Sequence, residues 1–174
     1  MRRHLNGGEY GADLYLVALG ANMRHPRFGR PRAVLEAALG ALERCGIDVL
    51  RASPVIDSAP VGPSLRRYAN GVAVVRAAME PPALLAILQS IEQAFGRKRR
   101  GSRWRSRVLD LDIVLWGGGA WCSPGLVIPH PHFRERDFVL RPALAVARDW
   151  RDPLTGLSLA HLAARLTSPK RAPR

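Results

Sequence analysis

Apolar positions along the chain alternate between two periods. Leu14 to Gly20 (LYLVALG) is a short apolar run closed by a Gly-Ala-Asn turn, and its length and flanks predict a buried strand. From Pro31, PRAVLEAALGALERCG places Val34, Leu35, Ala38, Leu39 and Leu42 on one helical face, with proline at the start and Gly46 at the stop. A weaker strand is predicted over Asp48 to Ser53, and the prolines and glycine of DSAPVGPSLRRY mark a long loop after it. Strand character resumes from Tyr68 to Ala77. PPALLAILQSIEQAFG then gives a second amphipathic helix that opens on proline and stops at Gly96.

The run VLDLDIVLW, Val108 to Trp116, alternates again. Val108, Asp110, Asp112, Val114 and Trp116 fall on one face, and Leu109, Leu111, Ile113 and Leu115 on the other. The resulting order, βαββαβ, predicts an α+β fold of ferredoxin-like type, an antiparallel sheet with helices packed on one face. Beyond it WGGG turns the chain, a helix is expected near Arg141 to Ala147, and SLAHLAARL forms a last short helix, so the core carries a C-terminal helical extension. No repeat or linker divides the sequence. The expected organisation is a flexible leader over 1–13, one domain over 14–166 and a disordered basic tail over 167–174.

Length and composition leave this picture in place: 174 residues suffice for one core without disulfide or metal staples. No apolar run is long enough for a bilayer, and MRRHLNGGEYGAD has no apolar core of a secretory signal, so a cytoplasmic location is expected. Cys45 and Cys122 lack zinc or redox spacing and are expected as buried or half-exposed free thiols.

Charge adds more. The formal net charge is +13, which favours polyanionic partners such as nucleic acid, an anionic surface or phosphate-bearing small molecules. Seven basic residues fall among the eleven from Arg97 to Arg107, directly before the strand that carries Asp110 and Asp112. Two carboxylates two residues apart on a strand have Cα atoms roughly 6.5 Å apart, close enough to share cations. Such hard oxygen donors suit Mg²⁺, completed by water and substrate phosphates, while guanidinium groups take phosphate. No Walker A sequence is present to cradle the phosphates. The competing reading is a solvated basic loop that merely pairs with the aspartates.

The pattern R-x-R-x-x-x-R-W-x-x-R-x-L-D-L-D-I, Arg97 to Ile113, resembles the signature of the 6-hydroxymethyl-7,8-dihydropterin pyrophosphokinase family. LGAN at Leu19 to Asn22, SAPVGP at Ser58 to Pro63, Tyr68-Ala69-Asn70, Glu92, IPHP at Ile128 to Pro131 and RxFVL from Arg136 agree with it in order and spacing. The resemblance implies transfer of the β,γ-diphosphate of ATP to the pterin hydroxymethyl group, in folate biosynthesis. It also implies a monomer whose partners are ATP and the pterin, with no nucleic acid and no membrane. Asp110 and Asp112 would hold two Mg²⁺ ions, and Arg97 and Arg107 would neutralise the transferred phosphate. Arg99 and Trp104 would close over the substrates, and His130, Arg136 and Glu92 would belong with the ATP contacts. Tyr68 and Phe138 would stack on the pterin, and Asn70, with Ser58, Ala59 and Val61, would read its edge. One departure stands out: Arg105-Ser106 occupies the place of the family's usual Gly-Pro. Two alternatives remain beside this reading. One is a basic ferredoxin-like RNA-binding domain, against which the missing Gly/aromatic run of RNA-binding strands argues. The other is a family member without catalysis.

Overall fold

The computed structural model describes residues 10–58, 67–96 and 108–168. Strand β1 (Leu14–Ala21) is central. It is followed by α1 (Pro31–Arg44), β2 (Asp48–Ala52), β3 (Ile56–Ser58), β4 (Tyr68–Arg76), α2 (Pro81–Ala94) and β5 (Asp110–Trp116). A hairpin of β6 (Trp121–Ser123) and β7 (Leu126–Ile128), a 3-10 turn at Phe133–Glu135, α3 (Asp137–Ala147) and α4 (Leu159–Thr167) complete the chain. The sheet order is β2-β4-β1-β5, with every pairing antiparallel, as the ferredoxin-like arrangement requires.

Both long helices begin with proline in the first turn, where the missing amide costs no hydrogen bond. They end at Gly46 (φ +77°) and Gly96 (φ +87°), left-handed positions that a side chain would strain. α1 and α2 cover one face of the sheet, burying Tyr15, Val17 and Leu19 of β1 with Ala73 and Val75 of β4 and Leu109, Leu111 and Ile113 of the β5 segment. The second face is covered as well, contrary to the expectation of helices on one side only. Here Leu14, Leu16, Val72, Val74, Val114 and Leu115 pack with Val139, Leu140, Ala143 and Val146 of α3.

Local outcomes differ from the sequence pattern in instructive ways. The expected long loop contains β3, which pairs with the start of β4 (Ile56 with Asn70, Ser58 with Tyr68). β2 and β3 thus share the outer edge of β4, interrupted at Ser53-Pro54, where Ser53 Oγ accepts the Val72 amide at 3.0 Å. The turn expected at Gly20 lies within β1, and α3 starts at Asp137, four residues earlier than expected, with Pro142 inside it. Cys45 and Cys122 are both exposed. Among the described residues no helix is long and apolar enough to cross a membrane.

Alternation along β5 breaks at Val114. Leu16 pairs with Leu115 and Val17 with Ile113, so Val114 is bulged out of the ladder. Val114 and Leu115 both join the α3 side, and Trp116 packs on the α1/α2 side, opposite to the face expected from strict alternation.

Candidate active site

α3 covers the second face only along one half of the strands. Over the other half, Ala18 and Gly20 of β1 and Asp110 and Asp112 of β5 are partly exposed, in register with one another: Gly20 faces Asp110 and Ala18 faces Asp112. On the other side of β1, Gly20 faces Asn70 and Ala18 faces Val72. The two central positions carry almost no side chain. A Cβ at Gly20 would come within 3.6 Å of Asn70 Oδ1, so the missing atom leaves a shallow trough between Asn70 and the two carboxylates. Sequence reading gave Ala18 and Gly20 no part in the site; their signal was small residues at alternate positions of a strand.

Asp112 receives two basic groups from the segment after β7. His130 Nε2 lies 3.9 Å and Arg136 NH1 3.7 Å from Asp112 Oδ2. The bulge anchors this segment, because the His130 amide donates to the Val114 carbonyl at 3.0 Å. His130 Nδ1 accepts the His132 amide at 3.2 Å, which leaves the ring proton on Nε2, facing the carboxylate. Burial first, then the nearby Arg136 and His132, push the His130 pKa down to about 4, against the opposing pull of Asp110. The ring is therefore a neutral donor at neutral pH. Arg136 also lies over the Phe138 ring, 5.7 Å from its centroid, so the start of α3 sets a guanidinium and an aromatic side by side.

Asn70 is 5% exposed, and its Nδ2 donates to Ser58 Oγ at 2.7 Å across the β3/β4 pair. Its Oδ1 is directed toward the space above Gly20. Tyr68 is partly exposed beside it, opposite Ser58 in the ladder. Phe138 packs at the border of the α3 cluster.

Glu92 is placed apart from these groups. It is 3% exposed on α2, beneath β5, and its Oε1 accepts the Leu111 amide at 2.8 Å. Leu111 stands between Asp110 and Asp112, so Glu92 braces the strand segment that carries both carboxylates. Arg97, Arg99, Trp104, Arg107, Ala59 and Val61 lie outside the described residues.

Asp110 and Asp112 fit a divalent cation of the magnesium type, since they offer hard oxygen donors at a solvent-accessible edge. Among the described residues no three His, Cys, Asp or Glu side chains form a cage. That donor set suits an ion completed by water and substrate oxygens better than a structural metal.

A family profile described as 7,8-dihydro-6-hydroxymethylpterin-pyrophosphokinase matches residues 16–148. A Synechocystis protein named 2-amino-4-hydroxy-6-hydroxymethyldihydropteridine pyrophosphokinase is 39% identical over 147 residues, covering 84% of this chain and 73% of that protein. A Pseudomonas aeruginosa protein of the same name is 43% identical over 139 residues, covering 79% and 82%. Among solved structures, an HPPK-DHPS in complex with substrates aligns with a TM-score of 0.68 at 12% identity, over 89% of this chain. Plasmodium falciparum HPPK-DHPS aligns with a TM-score of 0.62 at 12% identity, over 87% of this chain. The chain spans 43% of the length of each of these two structures, and the likeness to them is one of fold.

Proposed function

Since the chain belongs to the 7,8-dihydro-6-hydroxymethylpterin-pyrophosphokinase family, we propose that the trough along β1, β4 and β5 is where it carries out the family's reaction. That reaction moves the β,γ-diphosphate of ATP to the hydroxymethyl group of 6-hydroxymethyl-7,8-dihydropterin, a step of folate biosynthesis. The hydroxymethyl oxygen bonds to the β-phosphorus. The bond from that phosphorus to the oxygen bridging the α-phosphorus breaks, AMP leaves with that oxygen, and the hydroxymethyl group loses its proton.

The observation that carries the reading is one carboxylate, Asp112, flanked by Asp110 along the strand and approached by His130 and Arg136 at an open sheet edge. Asp110 and Asp112 would hold two Mg²⁺ ions, which supply charge neutralisation for the triphosphate and the attacking oxygen. Arg136 would bind phosphate oxygen through its fork of donors, and His130 would donate Nε2–H to another. Arg97 and Arg107 would spread further positive charge over the transferred group, with Arg99 and Trp104 closing above it. Tyr68 and Phe138 would hold the pterin ring by its faces, and Asn70, oriented by Ser58, would read its polar edge with Ala59 and Val61. Glu92 would act at the ATP side through the strand it braces. The protein would work as a monomer in the cytoplasm without nucleic acid.

Pterin-dependent release of AMP from ATP tests this reading. Turnover should require both substrates and Mg²⁺ and stop on chelation. ATP consumption that ignores the pterin, or salt-sensitive RNA binding in its place, would refute it.

A further inference from the structure

Away from the trough, behind the segment that carries His130 and Arg136, lies a buried ion pair. Asp152 has no exposed surface, and Arg134 grips it with two parallel bonds, Nε to Oδ2 and NH2 to Oδ1, each 2.8 Å. Thr155 Oγ1 donates to Oδ2 at 2.6 Å and the Leu154 amide to Oδ1 at 3.1 Å. Burial alone would raise the Asp152 pKa, but these four donors more than offset it and hold the group ionised. The backbone of Asp152 is fixed as well, donating to Leu157 and accepting from Gly156.

Arg134 belongs to the 3-10 turn, and that turn is one compact unit with His130 and Arg136. Amides of Phe133, Glu135 and Arg136 donate to carbonyls of His130, His132 and Phe133 at 3.1, 3.2 and 3.3 Å. Its front presents His130 and Arg136 to Asp112, and its back presents Arg134 to Asp152. Phe133, 1% exposed, lies under the Arg134 guanidinium at 4.8 Å and anchors the turn in the α3 cluster. A rotation of the turn about its own axis would move both front groups together. With its carboxylate fully buried and its guanidinium partly exposed, such a pair adds little stability over packed apolar residues of similar volume. What a two-point bond supplies is direction, because parallel N–H···O bonds permit one relative orientation.

From this geometry we infer that Asp152, acting through Arg134, is a positioning residue for nucleotide binding: it fixes the turn that sets the reach of His130 and Arg136 toward the triphosphate. The C-terminal segment after α3 is then part of the site's construction and more than a cover for the sheet. This inference rests on the proposed contact of His130 and Arg136 with ATP phosphates.

The test uses the full chain with a non-hydrolysable ATP analogue, measuring its Kd calorimetrically beside KM for each substrate and thermal melting. Asp152→Asn should weaken analogue binding and raise KM for ATP by about tenfold, a typical loss when an outer partner of an ion-binding group is removed. KM for the pterin should stay within about twofold, a split that general loosening of the fold would not give. Thr155→Val, which removes one of the two donors on Oδ2 and leaves the Arg134 bonds in place, should shift the analogue Kd the same way by less, and it decides the matter if Asp152→Asn does not fold. His130→Ala and Arg136→Ala serve as the control. If both leave the analogue Kd unchanged, the phosphate reading itself falls, and the inference with it. If both weaken it while folded Asp152→Asn and Thr155→Val bind normally, the pair only stabilises the fold and the inference is overturned.

Discussion

Replacing Asp112 with asparagine separates function from stability, because the structure assigns the carboxylate very different weights in each. Arg136 NH1 lies 3.7 Å and His130 Nε2 3.9 Å from its Oδ2. At an effective dielectric of 20, a unit charge pair at 3.7 Å is worth about 4 kcal/mol before solvation is counted. The His130 ring is neutral at pH 7, so only Arg136 contributes at full charge. The Asp112 side chain is 37% exposed and that of Arg136 32%, so solvent screening reduces the pair to the range of exposed ion pairs, about 0.2–1 kcal/mol. Loss of the Asp112 charge also relieves repulsion from Asp110. Asp112→Asn should therefore shift Tm by no more than about 4 °C for a domain of this size. Transition-state neutralisation by a held divalent ion is worth several kcal/mol, so losing one of two carboxylates should lower kcat by about a thousandfold. Pterin-dependent AMP release and differential scanning calorimetry on the same preparation give both numbers. Turnover within tenfold of the parent, or a Tm lowered by more than about 10 °C, would show that Asp112 is a structural charge and refute the reasoning.

Gly20→Ala should keep or raise stability, by up to about 1 kcal/mol, since the new methyl meets Asn70 Oδ1 at an ordinary 3.6 Å; activity should fall because the trough is filled, and thermal melts beside kcat/KM decide it. Asn70→Ala should raise KM for the pterin by roughly fivefold to tenfold, the worth of about one hydrogen bond, with KM for ATP unchanged in a two-substrate kinetic grid. Glu92→Ala strands the buried Leu111 amide and should cost about 1–3 kcal/mol in urea unfolding, with a loss of activity that added Mg²⁺ partly restores. Asp152 is held below its ordinary carboxyl range in the fold, so its contribution is complete at neutral pH and drains away as the pH falls below about 4; the Tm of Asp152→Asn should lose that part of its acid dependence.

Much of the architecture was legible because its signals are local. Proline at the helix starts, glycine at their ends and alternating apolar strands gave four sheet strands and two helices in the correct order, and Asp110 and Asp112 lie on one face because both precede the bulge. What stayed hidden is decided by partners distant in sequence. Three residues at Ile56–Ser58 become a strand because β4 has a free edge beside them, and nothing in VIDS announces that edge. Strict alternation misplaced Trp116, since the bulge at Val114 depends on how β5 meets Leu16 and Val17 of β1. Arg134 and Asp152 are 18 residues apart with a helix between them, so their pairing has no periodic trace.

Two carboxylates in an otherwise apolar strand are tolerable only where the sheet stops being a core, and the bulge helps draw that boundary. On its far side Val114 and Leu115 turn together into the α3 cluster; on its near side Asp110 and Asp112 stand partly exposed, in register with the small residues Gly20 and Ala18. The same irregularity leaves the Val114 carbonyl to accept the His130 amide, which delivers the basic segment to the edge where the acids emerge. One unpaired residue thus ends the buried face, opens the trough and docks its cationic wall. A deletion that restored regular pairing at Val114 would disturb all three together, so the bulge couples the fold's register to the site's charge arrangement.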